Sequence, residues 1–138
     1  MPSDFGFAMA AHPHDAKTVY IVPIESDGFR CTPQGKLRVY RTRNAGRSWQ
    51  ALTRGLPQTD AFETILRDAL ATDTLPKAGV YFGTRNGHVY ASADEGNSWR
   101  VVAESLPPVV CVKAAVVSRR RPKAGARRAQ ARAPRARR

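Results

Sequence analysis

Three groups of side chains have the types and spacing that chemistry needs. His12-Pro13-His14-Asp15 sets two imidazoles and a carboxylate within four residues, which invites a metal reading. A structural metal site takes about four ligands, and no second cluster of His, Cys or acid stands elsewhere to complete one. Pro13 and the short polar cluster read instead as a turn before an alternating strand, Thr18 to Val22. Arg67, Asp68 and Asp73 form the second group. Glycoside hydrolysis uses paired carboxylates, or a Tyr nucleophile with its Glu, an acid Asp and an arginine cluster. Arg67 and Asp68 are the weak catalytic candidates. As neighbours on a strand they point to opposite faces and meet one ligand only across a bulge. Glu25, Asp27 and Arg30 are the third group, in a Pro/Gly-rich loop, and read as solvated charges with ligand contact as the alternative. Cys31 and Cys111 lie near no other Cys or His and are read as reduced thiols of an intracellular protein. No cofactor and no metal is expected.

The elements that would position these groups come from an internal repeat. Thr42-Arg43-Asn44-Ala45-Gly46-Arg47-Ser48-Trp49 recurs as Ser92-Ala93-Asp94-Glu95-Gly96-Asn97-Ser98-Trp99, both of the form [ST]-x-[DN]-x-G-x-S-W. Each follows an alternating segment with a tyrosine, Val39–Thr42 and Val89–Ser92, and each leads on to Leu-Pro, at Leu56-Pro57 and Leu106-Pro107. Repetition at a fixed period is a statement about architecture. The motif itself is hairpin chemistry: Asn or Asp bonds nearby backbone N–H groups, Gly takes the positive φ, and the hydroxyls of Thr42/Ser92 and Ser48/Ser98 bond across the turn. Trp49 and Trp99 begin the next strand and bring a large apolar surface to bury. A metal or substrate role for Asp94 is the lesser reading, because Asn44 replaces it in the other copy.

These motifs resemble the Asp-box of bacterial-neuraminidase-type repeats, which occurs in sialidases, sortilin-like receptors and glycosyl-hydrolase-like β-propellers. His12–Tyr20 and Gly79–Thr84 are similar to strand-entry patterns of the same repeat superfamily. The resemblance spans about residues 5–118. It implies an all-β fold of two four-stranded antiparallel blades, about 5–57 and 62–106, within a domain 1–118 whose last segment, 109–117, is a closing strand. It implies an Asp-box role that is structural for Thr42, Asn44, Gly46, Ser48, Trp49, Ser92, Asp94, Gly96, Ser98 and Trp99. Propellers use about 4–8 blades, so two units look like the C-terminal third of a seven-bladed member, from a truncated or split frame or a protein that completes its sheet by association. No arginine triad can be assembled on matching positions, so no sialidase catalytic residue is carried over. The expected function is that of a glycosyl-hydrolase-like propeller without a complete active site. A protein-binding or assembly scaffold is one alternative and a nucleic-acid-associated protein another. The expected partners are further blades, a second copy, or a glycan or protein ligand.

Charge narrows these classes. The formal net charge of +12 falls mostly on residues 119–138, which hold nine Arg, one Lys and no acid. Residues 1–118 hold 13 basic and 11 acidic residues, an excess of only two, so the folded part offers no basic face. The tail is too poor in large apolar residues to form a core and is expected to be disordered, with weak non-specific polyanion binding through Arg119–Arg138. An extension produced by a shifted frame is the equal alternative. No apolar run reaches about 18 residues, and the first residues lack a signal-peptide pattern, so a cytoplasmic location is expected.

Along the chain, strands are expected at Phe5–Ala11, Thr18–Val22, Leu37–Thr42, Ser48–Leu52, about 63–71, Val80–Thr84, His88–Ser92 and Ser98–Ala103, with a tight turn at Arg85-Asn86-Gly87. Tyr20 to Tyr40 is 11 residues longer than the matching Tyr81 to Tyr90, which places an insertion between the second and third strands. Phe62, Ile65, Leu66 and Ala69 also fit helical spacing. The repeat favours strand there, since that position must supply the next inner strand.

Overall fold

A computed structural model describes residues 1–117. The expectations for the basic tail, its disorder and its polyanion binding, lie outside the described residues. The chain forms β1 (Gly6–Ala11), β2 (Val19–Pro23), β3 (Val39–Thr42) and β4 (Gln50–Leu52), then β5 (Leu70–Thr72), β6 (Val80–Gly83), β7 (Val89–Ser92) and β8 (Arg100–Ala103). They make two four-stranded sheets in simple sequential order, β1-β2-β3-β4 and β5-β6-β7-β8. Every neighbouring pair is antiparallel. The fold is all-β, and its helical content among the described residues is one short 3-10 turn, Pro33–Gly35. None of the described helices is long and apolar enough to cross a membrane.

Alternation explains the packing. Tyr20 and Val22 of β2, and Val39 of β3, turn one way and are fully buried between the sheets, with Ala8, Leu37 and Leu52. The second sheet meets them with Ile65, Ala69, Leu70, Val80, Phe82, Tyr90 and Trp99. Phe82 stacks on Tyr90 at 4.9 Å and takes Trp99 edge-on at 5.1 Å, the arrangements that aromatic quadrupoles favour.

Two expectations need correction. Residues 63–69 are neither strand nor helix; β5 begins only at Leu70. Their backbone groups are claimed elsewhere: Thr32 N–H of the insertion donates to the Glu63 carbonyl, Arg85 N–H to that of Thr64 and Val112 N–H to that of Asp68, each at 2.9 Å. Thr32 Oγ1 also takes the Glu63 N–H at 3.1 Å. A turn closed by Ala69 N–H to the Leu66 carbonyl, 2.9 Å, then swings the chain into β5.

The insertion is thus half solvated and half clamp. Glu25, Asp27 and Arg30 are exposed, with Arg30 paired to Asp27, whereas Thr32 and Leu37 are buried between the two units.

The closing strand is the second correction, because 109–117 joins no sheet. Val109 N–H reaches the Thr84 carbonyl at 3.1 Å and Val112 N–H that of Asp68 at 2.9 Å, and both valines press onto Gly83. High β propensity makes a strand only beside another strand, and none lies alongside this segment.

Candidate functional site

The two eight-residue motifs fold into the same turn. In the first, Thr42 Oγ1 accepts from Gly46 N–H at 2.9 Å, and Asn44 Oδ1 accepts from Ser48 N–H at 2.9 Å. In the second, Ser92 Oγ accepts from Gly96 N–H at 2.8 Å, and Asp94 Oδ1 from Ser98 N–H at 2.8 Å. The residues before each Gly, Ala45 and Glu95, share a left-handed φ of 56° and 59°, and the glycines follow at 86° and 88°. One exchange separates them. Asn44 Nδ2 donates to Ser48 Oγ, 2.8 Å, whereas Ser98 Oγ donates to Asp94 Oδ2, 2.6 Å.

Partial burial alone would raise the Asp94 carboxyl. Hydrogen bonds from the Ser98 and Ser92 hydroxyls and the Ser98 N–H outweigh it and hold the group at about 2, against an ordinary 3.8. A depressed folded-state value stabilises the fold above the unfolded value, and the contribution disappears as pH falls from 3.8 through about 2. Asp94→Asn copies the first turn and removes that dependence. Urea denaturation between pH 5 and 2 should therefore show wild type losing about 2 kcal/mol more than the variant. Parallel pH curves would contradict it.

The turns differ in what they meet. Turn 92–99 docks on the first sheet: its Glu95 carbonyl accepts from Arg41 Nη1 at 2.7 Å and Tyr20 Oη at 3.2 Å, and Asn97 Oδ1 accepts from Arg41 Nη2 at 3.0 Å. Gln50 holds the same guanidinium at 2.8 Å. Arg41 is 4% exposed, so this cation is buried against neutral oxygens at the junction of the sheets. Burial pushes the Tyr20 phenol up, only partly offset by Arg41. The backbone continues the contact, with Trp99 N–H donating to Arg54 at 2.9 Å. Among the described residues turn 42–49 has no such hydrogen bond to a second sheet, and Trp49 is only half-buried where Trp99 is 6% exposed.

The predicted chemical groups fall apart in space. Arg67 lies 5.4 Å from the Phe7 ring, as does Arg30. Asp68 holds the C-terminal segment through its carbonyl. Asp73 is buried. Burial would raise it, but the Gly79 N–H, the Tyr81 hydroxyl at 2.7 Å and the Leu75 N–H outweigh that and lower it. The same bond raises Tyr81. His12 and Asp15 line a recess of about 150 Å³ with Thr18, Arg43 and Glu95. There His12 Nε2 stands 3.5 Å from Glu95, and His12 Nδ1 accepts from His14 N–H at 3.1 Å. Asp15 is lowered by the Thr18 hydroxyl and Lys17 N–H, the bonds of its turn. Among the described residues no group of three or more His, Cys, Asp or Glu could hold a metal ion.

Two features escaped sequence reasoning. One is the pair of buried Glu63 and partly exposed His88, 3.5 Å apart, whose signal was a lone acid in an apolar run. The other is Arg41, whose signal was a cation on the buried face of a strand, at the position of Ala91 in the second copy. The chain matches no protein-family model and shows no significant similarity to a curated protein.

Proposed function

We propose that the chain supplies two blades of an Asp-box propeller and works as a binding or assembly scaffold through its sheet faces. The observation that carries this reading is the turn 92–99. Its Asp94 carboxylate is spent on the turn's own backbone and hydroxyls, and its Glu95 carbonyl and Asn97 side chain dock a neighbouring sheet. A motif used in that way is a joint between units. The acids support the same reading: Asp73, Asp94 and Asp15 each serve a local turn, and Glu95 bonds Arg43 at 3.0 Å. Paired carboxylates facing one substrate are what hydrolysis of a glycoside would need. Full-length protein incubated with fluorogenic sialosides, glucosides and galactosides should release no fluorophore above buffer. Turnover that falls by about tenfold or more in Asp68→Asn or Arg67→Ala would overturn the reading.

A further inference from the structure

We propose that a second copy of this chain docks its turn 42–49 on the outer face of the second sheet, head to tail, repeating between molecules the joint that turn 92–99 makes within one. The inference rests on the scaffold reading and names its partner. The donor turn is preformed, since its backbone and hydrogen bonds match those of the docked turn. Its side of the first sheet is partly uncovered: Met9 is 65% exposed and Trp49 half-covered, while Ile21 and Tyr40 beside Met9 are buried.

The receptor follows from the repeat. Turn 92–99 rests on Tyr20, Arg41 and Leu52 of the first sheet. The matching residues of the second sheet are Tyr81, Ala91 and Val102, and Val102 is 51% exposed. Of that face, the described C-terminal segment meets Gly83 and lines a cavity with Tyr81 and Val89, and Ala91 is 8% exposed. At the key position the sizes are exchanged. Within the chain a long receptor residue, Arg41, meets a short donor residue, Asn97. Between chains a short receptor residue, Ala91, would meet a long donor residue, Arg47. Beside Ala91 lies a recess of about 260 Å³, lined also by Asp94, Trp99 and Arg100. Arg47 fills it, with the Asp94 carboxylate as the opposite charge and Arg100 as a like charge beside it.

One residue opposes a perfect repeat. Gly55 admits the Trp99 carbonyl so closely that a Cβ there would stand 2.1 Å from the oxygen. Ser105 occupies the matching position, also left-handed at φ 57°. The joint between molecules is therefore displaced at this edge and weaker than the joint within one.

Head-to-tail contacts close into rings when the rotation fits. At about 4–8 blades per propeller, the ring takes about two to four copies. Light scattering after size exclusion of the full chain should give a concentration-dependent mass within that range. Arg47→Asn, on an exposed turn, should weaken association by about tenfold. Ala91→Arg should weaken it comparably, and Ala91→Arg combined with Arg47→Asn should restore it by recreating the Arg41–Asn97 pairing. Ser105→Gly should tighten it. A wild-type monomer at every concentration, an unchanged Arg47→Asn, or a double variant no better than Ala91→Arg overturns the proposal. A monomer inert on glycosides overturns this joint alone. A monomer that cleaves them overturns the scaffold reading as well.

Discussion

Replacing Trp99 by alanine should destabilise the protein by about 3–5 kcal/mol, the range for a buried aromatic cut to a methyl. The indole is 6% exposed, meets Phe82 edge-on and belongs to the core shared by both sheets. The cavity would open where the sheets join, so neither sheet can close it by shifting alone. Trp99→Phe should cost far less than alanine. It keeps a ring against Phe82, and it removes an Nε1–H that is buried with no partner. Trp49→Ala at the sister position should cost only about 1 kcal/mol, because half of that indole already faces water. Urea denaturation of the three variants checks this ranking. Equal losses for Trp49→Ala and Trp99→Ala would mean that the two turns are equally covered.

Gly55→Ala should cost a similar amount, about 2–5 kcal/mol, for a different reason. Gly55 has φ of 88°, where a side chain is strained by about 1–2 kcal/mol. A methyl there would also collide with the Trp99 backbone carbonyl, which moves only if the sheets part; overpacking of this kind adds about 1–3 kcal/mol. Gly28→Ala is the control, since a Cβ at Gly28 meets nothing within 4 Å. Thermal melts should separate the two variants clearly. A Gly55→Ala protein as stable as Gly28→Ala would show that the sheets are not held against each other there.

The strands and turns were legible because their signals are local. Val-Tyr alternation places Tyr20 and Tyr90 on buried faces, and Thr42, Asn44 and Gly46 spell out a turn that satisfies itself. Partnership was less legible. Residues 63–69 have apolar residues enough for a strand, yet Glu63 is claimed by Thr32, from an insertion without a counterpart in the second copy, and the carbonyls of Thr64 and Asp68 by Arg85 and Val112. Val109–Val117 has the propensity of a strand and no neighbour to make it one. Trp49 and Trp99 occupy the same motif position, and only the presence of a sheet opposite decides which is buried. The candidate site was hidden for the same reason. Arg41 stands on the buried face of its strand with no sequence sign of its partners until the turn that covers it, beginning 51 residues later at Ser92, is folded onto it.

That long reach has a consequence for how the molecule is made. Within each sheet, successive strands pair through nearby hairpins or a single loop, and such contacts form early. The joint between the sheets links Arg41 to Glu95 and Tyr20 to Glu95, across 54 and 75 residues. On a ribosome the first sheet emerges with Tyr20, Arg41 and Leu52 bare and waits for Trp99 before that face is covered. Docking is then the late step, in which Arg41 gives up its water shell for the oxygens of the turn. Interactions made late are absent from the folding barrier and govern the rate of opening instead. The seam between the sheets is therefore where the finished molecule first comes apart, and its lifetime is set there rather than inside either sheet.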